Sequence, residues 1–376
     1  MAHTVVHVIH DLRPGGTERR MLSVLATLDR TRFRPLLCCV DGLGALADDA
    51  RALSLEPVVL GRRRRFDLGG VARLARLVRR EHADVVHGWL DLANAFARVG
   101  GRLGHAPVVV AAEGGAITTM RRTRRHLGGI VERGLTPLTD AFVANSDAVA
   151  SGLRRHGVPA RKIEVIRNGV ALPAALPAER LAELRASVGA APGEQLIGMV
   201  SRLDPAFKDH PTLLRALARL RERHPAVRLA VVGDGPARAA LDGLAGQLGV
   251  SDRIAFAGFR PDATELIAAF DVSVLCSFSE GFSNVVLESM AWARPVVATD
   301  IPSNREAIDH CVHGLLVPVG DVEATAAAIG RVLDDALLAE RLGAAARQRA
   351  KGDFSLERQA NRTMALYDRL LAEKRR

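Results

Sequence analysis

The run Val5-Val6-His7-Val8-Ile9-His10-Asp11-Leu12-Arg13-Pro14-Gly15-Gly16-Thr17-Glu18-Arg19-Arg20-Met21-Leu22-Ser23-Val24-Leu25 decides the fold class. Val5 to Ile9 is a short apolar stretch that suits a buried strand, and Pro14-Gly15-Gly16 breaks it. From Thr17 to Leu28 the apolar positions Met21, Leu22, Val24, Leu25 and Leu28 fall on one side of a helix. The order is therefore strand, glycine loop, helix. Strands are expected again at Pro35–Val40, Pro57–Leu60, Val85–His87, Val108–Ala112 and Ala141–Ala144, spaced by helical patterns such as Val71–Glu81. Strands that alternate with helices imply a parallel sheet covered on both faces, the α/β class.

The pattern stops at the Pro- and Ala-rich stretch Ala171–Ala178 and resumes after a helix expected near Glu179–Val188. The second series has strands at Leu196–Val200, Arg228–Val232, Ile254–Ala257, Val272–Leu275, Val296–Ala298 and Leu315–Val317. Helices are expected over about Ala324–Lys351 and Leu356–Lys374. The expected domains are residues 1–172, a linker and connecting helix over 173–193, and residues 194–352, with 353–376 as a final helix returning to the first domain. A chain of 376 residues with 48% hydrophobic content has material for two cores of about 150 to 200 residues each. Open α/β sheets take ligands at the carboxyl ends of their strands, so a cleft faced by both sheets is the expected site.

Four cysteines without a CxxC pair suit a reducing compartment. The N-terminal apolar run is too short for a signal peptide, and no uncharged stretch reaches the roughly 18 residues of a membrane span. A cytoplasmic protein is expected. The formal charge of +10 is unevenly placed: residues 1–172 hold 27 Lys and Arg against 16 Asp and Glu, a balance of +11, and the remainder holds 25 against 26, a balance of −1. The excess centres on Arg62–Arg65 and on Arg121, Arg122, Arg124 and Arg125. Such clusters suit peripheral contact with an anionic membrane at the inner face of the plasma membrane, and equally suit a solvated face.

Two segments of the second half carry the chemistry. Glu280-Gly281-Phe282-Ser283-Asn284-Val285-Val286-Leu287-Glu288 follows the strand that ends at Leu275. A helix beginning near Ser283 offers backbone N–H groups and its positive dipole end to an anion, which suits a diphosphate. Glu280 and Glu288 then stand roughly 8 to 12 Å apart, at about 1.5 Å per helical residue, one on each side of it. Ser201-Arg202-Leu203-Asp204-Pro205-Ala206-Phe207-Lys208 follows Leu196–Val200, so Arg202 and Lys208 stand at a strand end where cations stabilise a departing diphosphate. Gly233-Asp234-Gly235-Pro236 lacks the third glycine of a dinucleotide loop and is expected to shape the cleft. No Asp-x-Asp or His/Cys cluster has metal spacing, so metal-independent chemistry without a cofactor is expected.

Together these segments resemble family 4 of the retaining GT-B glycosyltransferases. Arg202 and Lys208 match its Arg…Lys motif, Glu280 and Glu288 its Glu-x7-Glu motif, and Pro14-Gly15-Gly16-Thr17-Glu18 its N-terminal glycine loop. Asn168-Gly169-Val170, Gly233–Pro236 and Pro295–Thr299 match in register, so the resemblance covers almost the whole chain. It implies two Rossmann-like domains with parallel sheets facing an interdomain cleft. The second would bind a nucleoside diphosphate sugar, UDP- or GDP-linked, and the first the acceptor. Arg202 and Lys208 would hold the diphosphate, Glu280 would face the sugar, Glu288 would bond the ribose, and the amides of Asn284 and Val285 would support phosphate or sugar. Phe259 and Arg260 fall where the family flanks the nucleobase. Gly15 and Gly16 would let the backbone approach the diphosphate. His87 is expected on the acceptor side. Glu113 stands where many relatives carry His or Arg, and is expected to accept a proton from, or bond, an acceptor hydroxyl.

The resemblance implies transfer of a hexose-type sugar with retention to a saccharide or lipid-linked acceptor, in synthesis of bacterial cell-surface polysaccharide, lipopolysaccharide or glycolipid. Two other readings remain: a nucleotide-dependent epimerase or oxidoreductase, against which the missing GxGxxG counts, and a non-catalytic membrane-surface or nucleic-acid-binding protein built on the Arg clusters. Nucleic acid is not an expected partner of the transferase.

Overall fold

A computed structural model describes residues 2–62, 67–114 and 134–376. The chain divides into two units, one of Met1–Gly169 with Leu356–Arg376, the other of Val170–Ser355.

In the first unit the strands are β1 His3–Ile9, β2 Phe33–Cys39, β3 Val58–Val59, β4 Val85–Trp89, β5 Val108–Glu113, β6 Ala141–Ala144 and β7 Ile163–Val165. They form one parallel sheet in the order β3-β2-β1-β4-β5-β6-β7. The helices are α1 Gly16–Thr27, α2 Ala47–Ala52, α3 Leu68–Arg80, α4 Asp91–Leu103 and α5 Asp147–Arg155. The central strands are buried on both faces, which is why they read as unbroken apolar runs. One face packs Met21, Leu22 and Leu25 of α1, the other Leu74, Leu77 and Val78 of α3 with Phe96 and Ala97 of α4. The C-terminal helix Leu356–Arg375 also belongs here: Ala360, Met364, Tyr367, Leu370 and Leu371 join the α1 face, with Tyr367 edge-on to Phe33.

The second unit has β8 Gln195–Val200, β9 Val227–Val232, β10 Ile254–Gly258, β11 Val272–Leu275, β12 Val296–Thr299 and β13 Leu315–Val317, parallel in the order β10-β9-β8-β11-β12-β13. Its helices are α6 Ala178–Ala186, α7 His210–Leu220, α8 Arg238–Gln247, α9 Ala263–Ile267, α10 Asn284–Ala291, α11 Pro302–Ala307, α12 Val322–Asp334 and α13 Ala336–Asp353, and the C-terminal helix of the first unit is α14. Leu184 of α6 packs with Val188, Ala190, Leu266, Ile267 and Phe270 against one sheet face, so the 173–193 stretch docks on this unit through buried Leu184, Val188 and Ala190 while the rest of it is largely exposed. The single helix expected over Ala324–Lys351 is two: Asp335 leaves the helical conformation and its carboxylate accepts from Leu338 N–H at 2.9 Å, capping α13.

Both sheets have the doubly wound order, with a switch point between β1 and β4 in the first unit and between β8 and β11 in the second. At such a point the loops leaving adjacent strands diverge and leave a crevice at the carboxyl edge.

Candidate functional site

At the switch point of the second unit the loop after β8 meets the loop after β11. Lys208 and Ser277 form an antiparallel bridge, Phe278 N–H donates to Phe207 carbonyl at 2.8 Å, and Asp209 N–H donates to Cys276 carbonyl at 2.9 Å. The glycine turn after β9 supports the first loop from beneath. Leu203 N–H donates to Asp234 carbonyl at 3.0 Å. Gly233, at φ +133°, lies so close to Ser201 that a Cβ there would fall 2.0 Å from its carbonyl oxygen, so glycine alone allows this packing. The segment that resembles a dinucleotide loop therefore acts as a buttress for Arg202. His210 adds a side-chain contact, its Nε2 2.9 Å from Ser201 Oγ. Burial, then the charge of Lys208, push its pKa down to about 4, so it is neutral at neutral pH.

The two joined loops bring Lys208 and Glu280 into direct contact, Lys208 Nζ donating to Glu280 Oε1, which also accepts from Ser277 Oγ at 2.7 Å. Both side chains keep about 15% of their exposure, the lysine 14% and the glutamate 15%, so this is a partly desolvated charge pair rather than a surface one. Three residues beyond Glu280, Ser283 caps α10 by accepting from Val286 N–H at 3.4 Å. Asn284 and Val285 occupy the first turn, half-buried, and Glu288 lies just over one turn in, also half-buried. Arg202 stands apart from the pair: 81% of its side chain is exposed, and it contacts Asp204 at 3.4 Å. Arg260 is gripped by both oxygens of Asp262 at 2.7 Å, whereas its neighbour Phe259 is 58% exposed.

The remaining candidates lie in the first unit. Gly15 is the N-cap of α1 in an extended conformation, and the Glu18 carboxylate folds back so closely that a Cβ on Gly15 would sit 2.2 Å from Glu18 Oε2. Gly16 opens the helix. His87, expected at a strand end on the acceptor side, is in the middle of β4 and 1% exposed. Its Nδ1 is 2.6 Å from Tyr367 Oη, its ring stacks on Trp89, and burial holds its pKa well below the usual imidazole range. These contacts make it a neutral core residue that ties α14 to the sheet. Glu113 ends β5 at 7% exposure; its Oε1 accepts from Asn94 Nδ2 at 2.7 Å and lies 3.8 Å from Arg98 Nη2. Arg98 is completely buried, its guanidinium 4.9 Å from the centroid of the Phe142 ring. Of the basic clusters, Arg62 is bound to both oxygens of Asp41. Arg63–Arg65, Arg121, Arg122, Arg124 and Arg125 lie outside the described residues.

Asn94 and Arg98 were not among the sequence candidates. They stand four apart on α4, among the buried positions Ala93 and Ala97, and a polar pair at that spacing on an apolar helix face was the available signal. Arg20, 6% exposed and four residues before the buried Val24, carries the same mark on α1. Among the described residues no helix is long and apolar enough to cross a membrane.

Comparison with known proteins matches residues 14–172 to the model of Glycosyltransferase Family 4 and residues 194–335 to that of Glycosyl transferases group 1. The lipopolysaccharide core biosynthesis glycosyltransferase LpsE of Rhizobium meliloti is 35% identical over 58% of this chain and 61% of its own length. A D-inositol 3-phosphate glycosyltransferase of Mycobacterium marinum is 30% identical over 81% of this chain and 67% of its own. The chain spans about three fifths of the first curated relatives it matches, 61%, 56% and 58% of their lengths. Among solved structures, Anabaena HepE in complex with UDP and glucose superposes with a TM-score of 0.88 over 98% of this chain and all of HepE, at 22% identity. HepE has also been solved with UDP-glucose.

Proposed function

Because the chain belongs to glycosyltransferase family 4 and has its GT-B architecture, we propose that it moves a hexose-type sugar from a UDP- or GDP-linked donor to an acceptor hydroxyl with retention of configuration. The observation that carries this reading is the Lys208–Glu280 pair, held by two joined loops just ahead of the α10 N-terminus. A diphosphate at that helix end meets backbone N–H groups and a lysine together. Lys208 then turns from Glu280 to the phosphates, and Glu280 is released to bond hydroxyls of the sugar. Exposed Arg202 swings in as the second cation, Glu288 bonds the ribose, and Phe259, open to solvent, stacks on the base with Arg260 at its edge. As the glycosidic bond ionises, charge builds on the leaving diphosphate, where fixed cations lower the barrier. That diphosphate takes the acceptor proton, on the same face from which it departs. Glu113, fixed by Asn94 and Arg98, bonds an acceptor hydroxyl. The likeness to LpsE supports an acceptor in cell-surface polysaccharide or lipopolysaccharide synthesis, saccharide or lipid-linked.

The test is a panel of UDP- and GDP-hexoses incubated with the protein and followed for binding and for slow release of free nucleotide. Release from one donor, with the α-anomer as first product of an α-linked donor by NMR, is the expected result. Absence of both binding and release across the panel refutes the reading.

A further inference from the structure

Among the described residues Arg20 has no carboxylate partner. It lies on the buried side of α1 at 6% exposure, and among the described residues no Asp or Glu forms an ion pair with it. One N–H donates to the Ile166 carbonyl at 3.2 Å, its guanidinium carbon sits 5.3 Å from the centroid of the Trp89 ring, and Nε has no hydrogen-bond partner among the described residues. Burial lowers its pKa only to about 10, so it stays charged at neutral pH. His87 nearby adds no negative charge, for burial keeps it neutral and it feels Arg20 as a repelling cation. Burying an unpaired cation costs several kcal/mol, of which a ring face returns about 0.5 to 2. An apolar side chain of similar length would suit this helix face better, so a stability argument alone does not account for an arginine.

The surroundings indicate what the charge is for. Arg20 Nη1 lies 3.8 Å from where a Cβ on Gly114 would stand, and Asn145 Nδ2 lies 3.3 Å from the same point. Gly114 follows β5 at the carboxyl edge of the sheet and is half-buried, with Leu90 Cδ2 3.8 Å from the same point. Asn145 is 3% exposed; its Nδ2 donates to the Gly114 carbonyl at 3.3 Å while Oδ1 has no partner among the described residues. Two buried polar side chains thus approach one glycine through Arg20 Nη1 and Asn145 Nδ2, at the edge where α/β sheets bind ligands, and among the described residues each keeps a further polar atom, Nε and Oδ1, without a hydrogen-bond partner. We propose that Arg20 and Asn145 form an anion subsite, in which the guanidinium takes a phosphate or carboxylate group and Asn145 Oδ1 takes a hydroxyl beside it. This rests on the proposed function only for its ligand's place in the reaction: an acceptor bearing an anionic group.

Arg20→Met is the deciding variant, because it keeps the length and removes the charge. With Arg202→Ala/Lys208→Ala as background, so that the second unit does not respond, millimolar inorganic phosphate is expected to raise the melting temperature beyond chloride of equal ionic strength. Adding Arg20→Met should abolish that rise while leaving the phosphate-free melting temperature equal or higher, and Arg20→Lys should retain part of it. A phosphate response that is absent with Arg20 present, or unchanged without it, overturns the proposal, as does a fall in phosphate-free stability in Arg20→Met, which would mark a structural arginine. No turnover is needed, so the outcome stands even if no nucleotide sugar is used. UDP affinity in the otherwise native protein should be unchanged in Arg20→Met, as for an anionic acceptor; a loss of about tenfold, that of a charged hydrogen bond, would overturn this assignment.

Discussion

Lys208→Ala is expected to lower donor turnover by about 10²- to 10³-fold, the usual loss when one fixed charge-stabilising group is removed from a developing anion. The effect should fall mainly on kcat, because the charge on the leaving diphosphate grows as the glycosidic bond breaks and the lysine gains most at that point. Fold should be little affected. Lys208 sits on a loop held by backbone hydrogen bonds from Leu203, Phe207 and Asp209, none of which needs the ammonium group. Removing the lysine also leaves Glu280 with the Ser277 hydroxyl as its hydrogen-bond partner among the described residues, which makes the two sites energetically dependent. The double variant Lys208→Ala/Glu280→Ala should therefore be scarcely slower than either single one, since residues that act as a unit are not additive. Equal turnover in Lys208→Ala and the native protein would remove the lysine from the mechanism.

Arg98→Ala should destabilise the first unit by about 3 to 5 kcal/mol, the range for breaking a buried charge pair from one side. Three losses coincide there. Glu113, 7% exposed, loses its cation, the Phe142 ring loses a stacked guanidinium, and α4 gains a cavity beneath a fully buried position. Combining Arg98→Met with Glu113→Gln should recover much of the stability, because a volume-matched neutral pair leaves no buried charge. Activity should not recover with it if Glu113 bonds the acceptor. Urea unfolding followed by tryptophan fluorescence measures this directly, for Trp89 reports on the first unit and Trp292 on the second. A change seen only in the Trp292 signal, or below about 1 kcal/mol, the range of an exposed ion pair, would contradict the assignment.

The sheets were readable because their central strands are buried on both faces and therefore unbroken in apolar residues, as in β1, β5 and β8. β7, Ile163–Val165, escaped that reading: it is an edge strand, only half-buried, with Glu164 at its centre, so neither periodicity nor apolar length marks it. The break at Asp335 was hidden by apolar residues that continue on both sides of a single capping carboxylate. At the site, Lys208 and Glu280 were selected from motifs 72 residues apart, and their loops meet because β8 and β11 are neighbours. The bond of His87 to Tyr367 spans 280 residues, and the convergence of Arg20 and Asn145 on Gly114 depends on the relation of α1 to β5 and β6. A one-dimensional pattern carries a residue's type and face, and contacts of that range are set by packing.

Whether Lys208 holds a pyrophosphate at the mouth of α10 is tested most directly by calorimetric titration of UDP and GDP into the native protein and into Lys208→Ala. One of the nucleotides should bind saturably at one site, and the variant should bind it at least about tenfold more weakly, roughly 1.4 kcal/mol. No binding of either nucleotide, or the same affinity in both proteins, would contradict the account.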